Sequence, residues 1–291
     1  MARACRARTR GTVSDAWICR ELREADTDHL RRLIESRDRD ARLHLREVDA
    51  PGLWWYGAVG RSSAELGAVL QVEGTTATLI EVDPGATEAL ARGLLQHQRM
   101  IGKDHGDRHV LRGQAAAMGR FWAIFQHNGR KVVSDRTAVL HVAPAPGTSR
   151  LDVRVGDAGD LKLVSEFLAD ATLETRGFDP RRTARETHDR RCAQVLRDGL
   201  CVVVRDAGAA VLVGELAPSG TQVTLLEPWF VPRAFRARKR LIAQALAPLT
   251  GLAPLLGREL LAFADGPELN EAMALAGWQP RSTFRTVEMQ G

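Results

Sequence analysis

Residues 231–241 read Val-Pro-Arg-Ala-Phe-Arg-Ala-Arg-Lys-Arg-Leu. The stretch follows residues 222–231, which are β-branched, aromatic and apolar enough for a strand. It leads into residues 236–249, where apolar positions recur at helical spacing. Five cations, Arg233, Arg236, Arg238, Lys239 and Arg240, crowd this strand-to-helix junction. A helix start carries unpaired N–H groups and the positive end of the dipole, so each cation there costs roughly 0.3–1 kcal/mol. Two readings are open. The cations bind a phosphorylated ligand through their side chains, or they form a solvated basic helix start.

The pattern outward from the junction fills in a domain. Residues 151–155 alternate as a strand, and Asp157-Ala-Gly-Asp160 caps a helix running to about residue 175. Pro180 opens a helix through residue 197. Strands at 201–205 and 210–217 flank the turn Asp206-Ala-Gly208. After the junction come a strand at 260–264, a helix at 267–276 and a strand at 282–288. The order is β-α-α-β-β-β-α-β-α-β.

Residues 143–150, with two prolines and a glycine, read as a linker. The expected division is a basic disordered tail at 1–15, a domain at 16–142, the linker, and a domain at 151–291. The first domain reads as a helix at 26–45 and a strand at 53–59. A hairpin at 66–72 and 76–82 follows, turning at Glu73-Gly74 and closed by Pro84 and Gly85. Next come a helix at 86–100, a strand at 109–111, a helix at 114–126 and a strand at 131–142. Trp54-Trp55-Tyr56 offers stacking surface, but aromatic strand residues more often pack the core, and Phe121, Trp122 and Phe125 fit a buried helix face.

The chain has 291 residues, 44% apolar and 26% charged, the balance of a globular protein. Arg3, Arg6, Arg8 and Arg10 against Asp15 supply +3 of the net +5, so little basic excess is left for a nucleic-acid footprint elsewhere. No apolar run approaches the roughly 18 residues of a membrane span, and the N-terminal segment lacks the apolar core of a secretory signal. The expected setting is the cytoplasm, with no membrane partner. Cys5, Cys19, Cys192 and Cys201 form no CxxC pair and stand at no metal-ligand spacing, so reduced thiols and no metal are expected. The chain has no GxSxG, GxxxxGK[ST] or HExxH motif.

The element order of residues 151–291 resembles the GNAT superfamily of N-acyltransferases. Three local sequences carry the likeness: Leu151-Asp-Val-Arg-Val-Gly-Asp-Ala-Gly-Asp160, Val231-Pro-Arg-Ala-Phe-Arg-Ala-Arg238 and Ala276-Gly277-Trp278. The second is similar to V-x-P-x-[YF]-R-G-R-G with its proline one place early. Residues 16–142 resemble the N-terminal half of tandem GNAT proteins through their element order and Gly119-Arg120-Phe121-Trp122. The implied fold class is α/β with mixed sheets: two GNAT-like domains, each a central, mostly antiparallel sheet flanked by helices.

The resemblance also implies a site. A thioester donor, acetyl-CoA or another acyl carrier, would lie along Trp229, Phe230, Val231, Arg236, Ala237, Arg238, Lys239 and Arg240. The pyrophosphate would rest on backbone N–H groups of the pattern R-x-x-G-x-[GA]. Here the glycine positions hold Lys239 and Leu241, and Ala237 replaces the glycine between the arginines. Glu227 would be the general base toward a small-molecule amine, Glu174 would line the acceptor site, and His188 beside Asp189 is a further candidate. The position of the usual acid tyrosine holds Met273, and that of a frequent asparagine holds Gly266. These departures leave an acyl carrier protein, an aminoacyl-tRNA donor, or a non-catalytic binding protein as alternatives.

Overall fold

The computed structural model describes residues 16–37, 40, 45, 48, 50–97, 108–145, 151–176, 178–219, 223–232, 239–252 and 259–290. The expected tail at 1–15 and most of the expected linker lie outside the described residues. The chain forms two compact units, Met1–Thr137 with Phe284–Gly291, and Ala138–Thr283. The boundaries between the units fall at 137/138 and at 283/284.

Unit 1 contains β1 (Trp17–Glu21), α1 (Thr27–Ser36), β2 (Leu53–Gly60), β3 (Leu66–Glu73), β4 (Thr76–Glu81), α2 (Pro84–His97), β5 (Arg108–Gln114) and α3 (Ala115–Phe125), and it includes the start of β6 (Lys131–Val142). Strands β1 to β5 lie side by side in chain order. Alternation sorts their side chains onto two faces. Leu70, Ala77 and Leu79 pack with α2 and α3, while Val69 and Ile80 pack with Leu30 and Leu33 of α1. The β5 edge is covered by residues 284–290 of the last strand, β12 (Gln279–Gln290), running antiparallel.

Unit 2 contains β7 (Asp152–Val155), α4 (Leu161–Arg176), α5 (Pro180–Thr183), α6 (Arg185–Arg197), β8 (Cys201–Asp206), β9 (Ala209–Ser219), β10 (Val223–Phe230), α7 (Lys239–Leu246), β11 (Glu259–Asp265) and α8 (Pro267–Leu275). Its order runs β7-β8-β9-β10-β11, followed by residues 138–142 of β6. Cys201, Val203 and Val213 face α4 and α6, whereas Val202, Val204 and Leu212 face α7 and α8. Both units are mixed α/β, as the sequence order predicts. In each, one parallel strand pair (β4–β5 and β10–β11) sits among antiparallel neighbours.

Several elements differ from the sequence expectations. Strand β1 is additional; Trp17 and Cys19 pack on the unit 1 core from its edge. Helix α1 stops at Ser36, whose hydroxyl donates to the Leu33 carbonyl (2.7 Å) and competes with the helix ladder. The single helix expected from Pro180 is split at Ala184 (φ −152°, ψ 46°). The helix after the basic junction, described from Lys239 onward, gives way to a 3₁₀ turn at Pro248–Gly251, because Pro248 has no N–H to continue it.

The start of unit 1 is tied by Arg20, which donates to both carboxylate oxygens of Asp26 (2.6 and 2.7 Å). These bonds, with a further one from the Arg23 N–H, outweigh partial burial and hold the Asp26 carboxyl down at about 2. A depressed carboxyl contributes stability that is complete above its ordinary value of 3.8 and disappears as pH falls toward 2. We expect Asp26→Asn to flatten the acid side of the urea-unfolding profile between those values; a slope equal to wild type would refute the assignment.

Candidate active site

Strand β10 is irregular where the candidate base lies. Leu226 is opposite Leu216 on β9 and Trp229 is opposite Gly214, so Glu227 and Pro228 together face one residue, Glu215. This is a β-bulge, and Pro228, which has no N–H to give to a ladder, sits in it. Parallel pairing with β11 runs from Val223↔Glu259 to Leu226↔Ala262 and goes no further among the described residues. The two strands therefore part at the bulge. The backbone of residues 227–230 keeps β9 on one side and loses β11 on the other. An extended ligand carrying amide groups fits such an edge, because an open strand edge offers unmatched backbone donors and acceptors.

Glu227, Trp229 and Phe230 thus stand on the strand at the fork. Val231 follows with its side chain in the core cluster that holds Ile242 and Leu246. Arg236, Ala237 and Arg238 lie outside the described residues. Lys239 and Arg240 are the first described residues of α7, and the Lys239 ammonium donates to Glu271 on α8. Both partners are substantially exposed, and such pairs are worth about 0–1 kcal/mol. The pair is weak enough for a bound anion to displace. Arg240 is exposed at the next position.

Glu174 lies exposed near the end of α4, a helix that packs against β10. The corner after it is held by Arg181, which donates to Asp170 (2.8 Å) and Asp179 (2.9 Å). His188 is nearly buried, 2.9 Å from the Ser165 carbonyl and 3.7 Å from the Cys192 sulfur. Those contacts make it a clamp between α6 and α4. Burial pushes the Cys192 thiol up to about 11 and that of Cys201 to about 12, which makes both poor nucleophiles.

The closing motif is a helix stop. Gly277 (φ +82°) donates to the Ala274 carbonyl and Trp278 to that of Met273, both at 3.0 Å. This is a Schellman cap, and it needs the left-handed residue that glycine supplies. Met273 and Trp278 are both buried in one core cluster. No acid can act from position 273. Gly266 (φ +80°) precedes α8, and its carbonyl accepts from the Asn270 side chain at 2.6 Å. Two features went unread in the sequence. Pro228 inside a strand signalled the bulge, whereas Glu271, distant along the chain from Lys239, gave no local signal.

No family model matches the chain, and no curated protein matches it. Solved structures do. A Drosophila protein aligns with a TM-score of 0.59 at 14% identity, covering 94% of this chain and 98% of its own. A GNAT-family acetyltransferase from Colwellia psychrerythraea aligns at 0.56 and 14%, with the same coverages. A GCN5-related N-acetyltransferase from Sphaerobacter thermophilus gives 0.55 and 15%, covering 94% of this chain and 95% of its own. With a parallel strand pair among antiparallel neighbours in each unit and helices on both faces of the strands, the chain has the fold of the GNAT acetyltransferases.

Proposed function

We propose that unit 2 is an N-acyltransferase that moves an acyl group from a thioester donor, acetyl-CoA or another pantetheine-linked acyl group, to a small-molecule amine. The observation that supports this is the fork between β10 and β11, with the bulge at Glu227-Pro228 on one arm. The amide-bearing arm of the donor would pair with the open edge of residues 227–230. Its phosphates would approach the start of α7, where Lys239 and Arg240 serve them with side chains in place of glycine backbone.

In the reaction the amine nitrogen attacks the thioester carbonyl carbon and a C–N bond forms. Backbone N–H groups near Trp229 and Phe230 stabilise the oxyanion. The C–S bond then breaks and the thiolate leaves. Glu227 takes the proton that the amine gives up, directly or through water. Met273 has no proton to donate, so the thiolate is protonated from solvent. This is tolerable for a leaving group with an ordinary thiol pKa of about 8.5. Glu174, exposed on the helix packed against β10, suits a cationic acceptor.

The test combines binding and turnover. Acetyl-CoA should bind the full chain, and thiol release should be detectable across a panel of primary amines. Glu227→Gln should then lower kcat about a hundredfold or more with the donor Kd unchanged. Turnover at the wild-type rate in that variant would remove Glu227 as base. Failure of acetyl-CoA to bind up to millimolar concentration would favour a non-catalytic role, the reading supported by Lys239 and Leu241 at glycine positions.

A further inference from the structure

We infer that unit 1 is closed to an acyl donor, so the chain takes up one donor at most, at unit 2. The inference rests on the proposed function only for where that donor goes; the closure of unit 1 stands on its own geometry.

Unit 1 repeats the fork. Its parallel pair runs from Thr76↔Val110 to Leu79↔Gly113, four residue pairs as in unit 2. The bulge that marks the fork in unit 2 has no counterpart here. Strand β4 pairs with β3 over its whole length, from Glu73↔Thr76 to Ala68↔Glu81, without a bulge. The end of the pair is covered by α3. Met118, fully buried on α3, lies so close to Gly113 that an added Cβ would stand 3.3 Å from its Cγ and 2.9 Å from the Leu79 carbonyl oxygen. Beyond it, Arg120 of α3 grips both carboxylate oxygens of Glu81, the last residue of β4. The end of the parallel pair in unit 1 is thus covered by a helix.

The helix start is also occupied. Only Val82 and Asp83 separate β4 from α2. Both of their N–H groups donate to the Gly67 carbonyl (2.9 and 2.8 Å). Asp83 caps the helix with its own carboxylate, accepting from the Ala86 N–H at 3.0 Å. Pro84 has no N–H to offer. Gly85, Ala86 and Thr87 are buried, and Ala86 packs so tightly on β3 that a Cβ at Gly67 would stand 2.5 Å from it. A phosphate at this turn would meet a carboxylate that already holds the amide, and it would have to displace packed side chains to reach the rest.

Equilibrium dialysis of the full chain against labelled acetyl-CoA counts the sites, and hydrogen exchange on the same sample places them. We expect no more than one acetyl-CoA per chain, with protection over residues 223–246 and none over residues 76–94. Two bound molecules, or protection over residues 76–94, would overturn the inference. Complete absence of binding would be consistent with a closed unit 1 while removing acetyl-CoA as the donor of unit 2, so the two readings fail separately.

Discussion

Truncation after Thr283 is expected to unfold unit 1 while unit 2 keeps its structure. Residues 284–290 of β12 pair with β5 from Phe284↔Gln114 to Gln290↔Arg108. Val287 and Met289 are fully buried among α2, α3 and the sheet, and Phe284 is nearly so. Burial of each such side chain is worth about 1.5–3 kcal/mol. Around them, Arg285 donates twice to Asp135 (2.8 and 2.6 Å), and Arg136 donates to Glu288 (2.8 Å). The lost contacts rival the whole stability of a domain, about 5–15 kcal/mol, and they leave the edge of β5 bare. Denaturation followed by near-ultraviolet circular dichroism should show the unit 1 transition gone. Met289→Ala is the milder version, with a cost of about 2–5 kcal/mol confined to that transition. If the truncated chain melts as the full chain does, residues 284–290 do not close unit 1.

Asp160→Ala should destabilise unit 2 by about 3–5 kcal/mol, the range for breaking a buried charge pair from one side. Asp160 is 3% exposed and accepts from Arg154 (2.7 Å), Arg205 (3.2 Å) and the Asp157 N–H (3.0 Å). It thereby joins β7, the start of α4 and β8. Burial pushes its carboxyl up, but these donors pull harder and hold it below the usual range. With the pKa depressed, the stability it contributes is full above 3.8 and lost on further acidification. Urea titrations at neutral pH and near pH 3 check both parts: the gap between wild type and variant should be wide at neutral pH and should narrow in acid. A loss under 1 kcal/mol at neutral pH would show that the arginines find other partners.

The candidate site was legible only in pieces. The cluster from Arg233 to Arg240 was legible as a strand-to-helix junction, because a strand end, a proline and a run of cations are local features; residues 233–238 lie outside the described residues. That Lys239 has Glu271 as partner was not legible, since α8 comes within reach only after β11 has returned the chain. The bulge had a local sign in Pro228, but a proline shows only that a ladder bond is missing. It does not show that β11 leaves at the same place.

The sequence by itself determined the type and order of most elements. Periods of two and 3.6 are properties of short stretches, and so are turn residues such as Gly74 and Gly277, whose positive φ follows from having no side chain. Only the tertiary structure decided which edge each strand would cover. Residues 284–290 carry the alternation of any half-buried strand. Nothing in their order distinguishes β5 from β11 as neighbour, because backbone hydrogen bonds are the same for every sequence. The choice was made by the fit of Val287 and Met289 to the core formed by α2 and α3. The same kind of choice set Met118 and Arg120 beside the end of the β4–β5 pair and let β10 and β11 part beside Glu227.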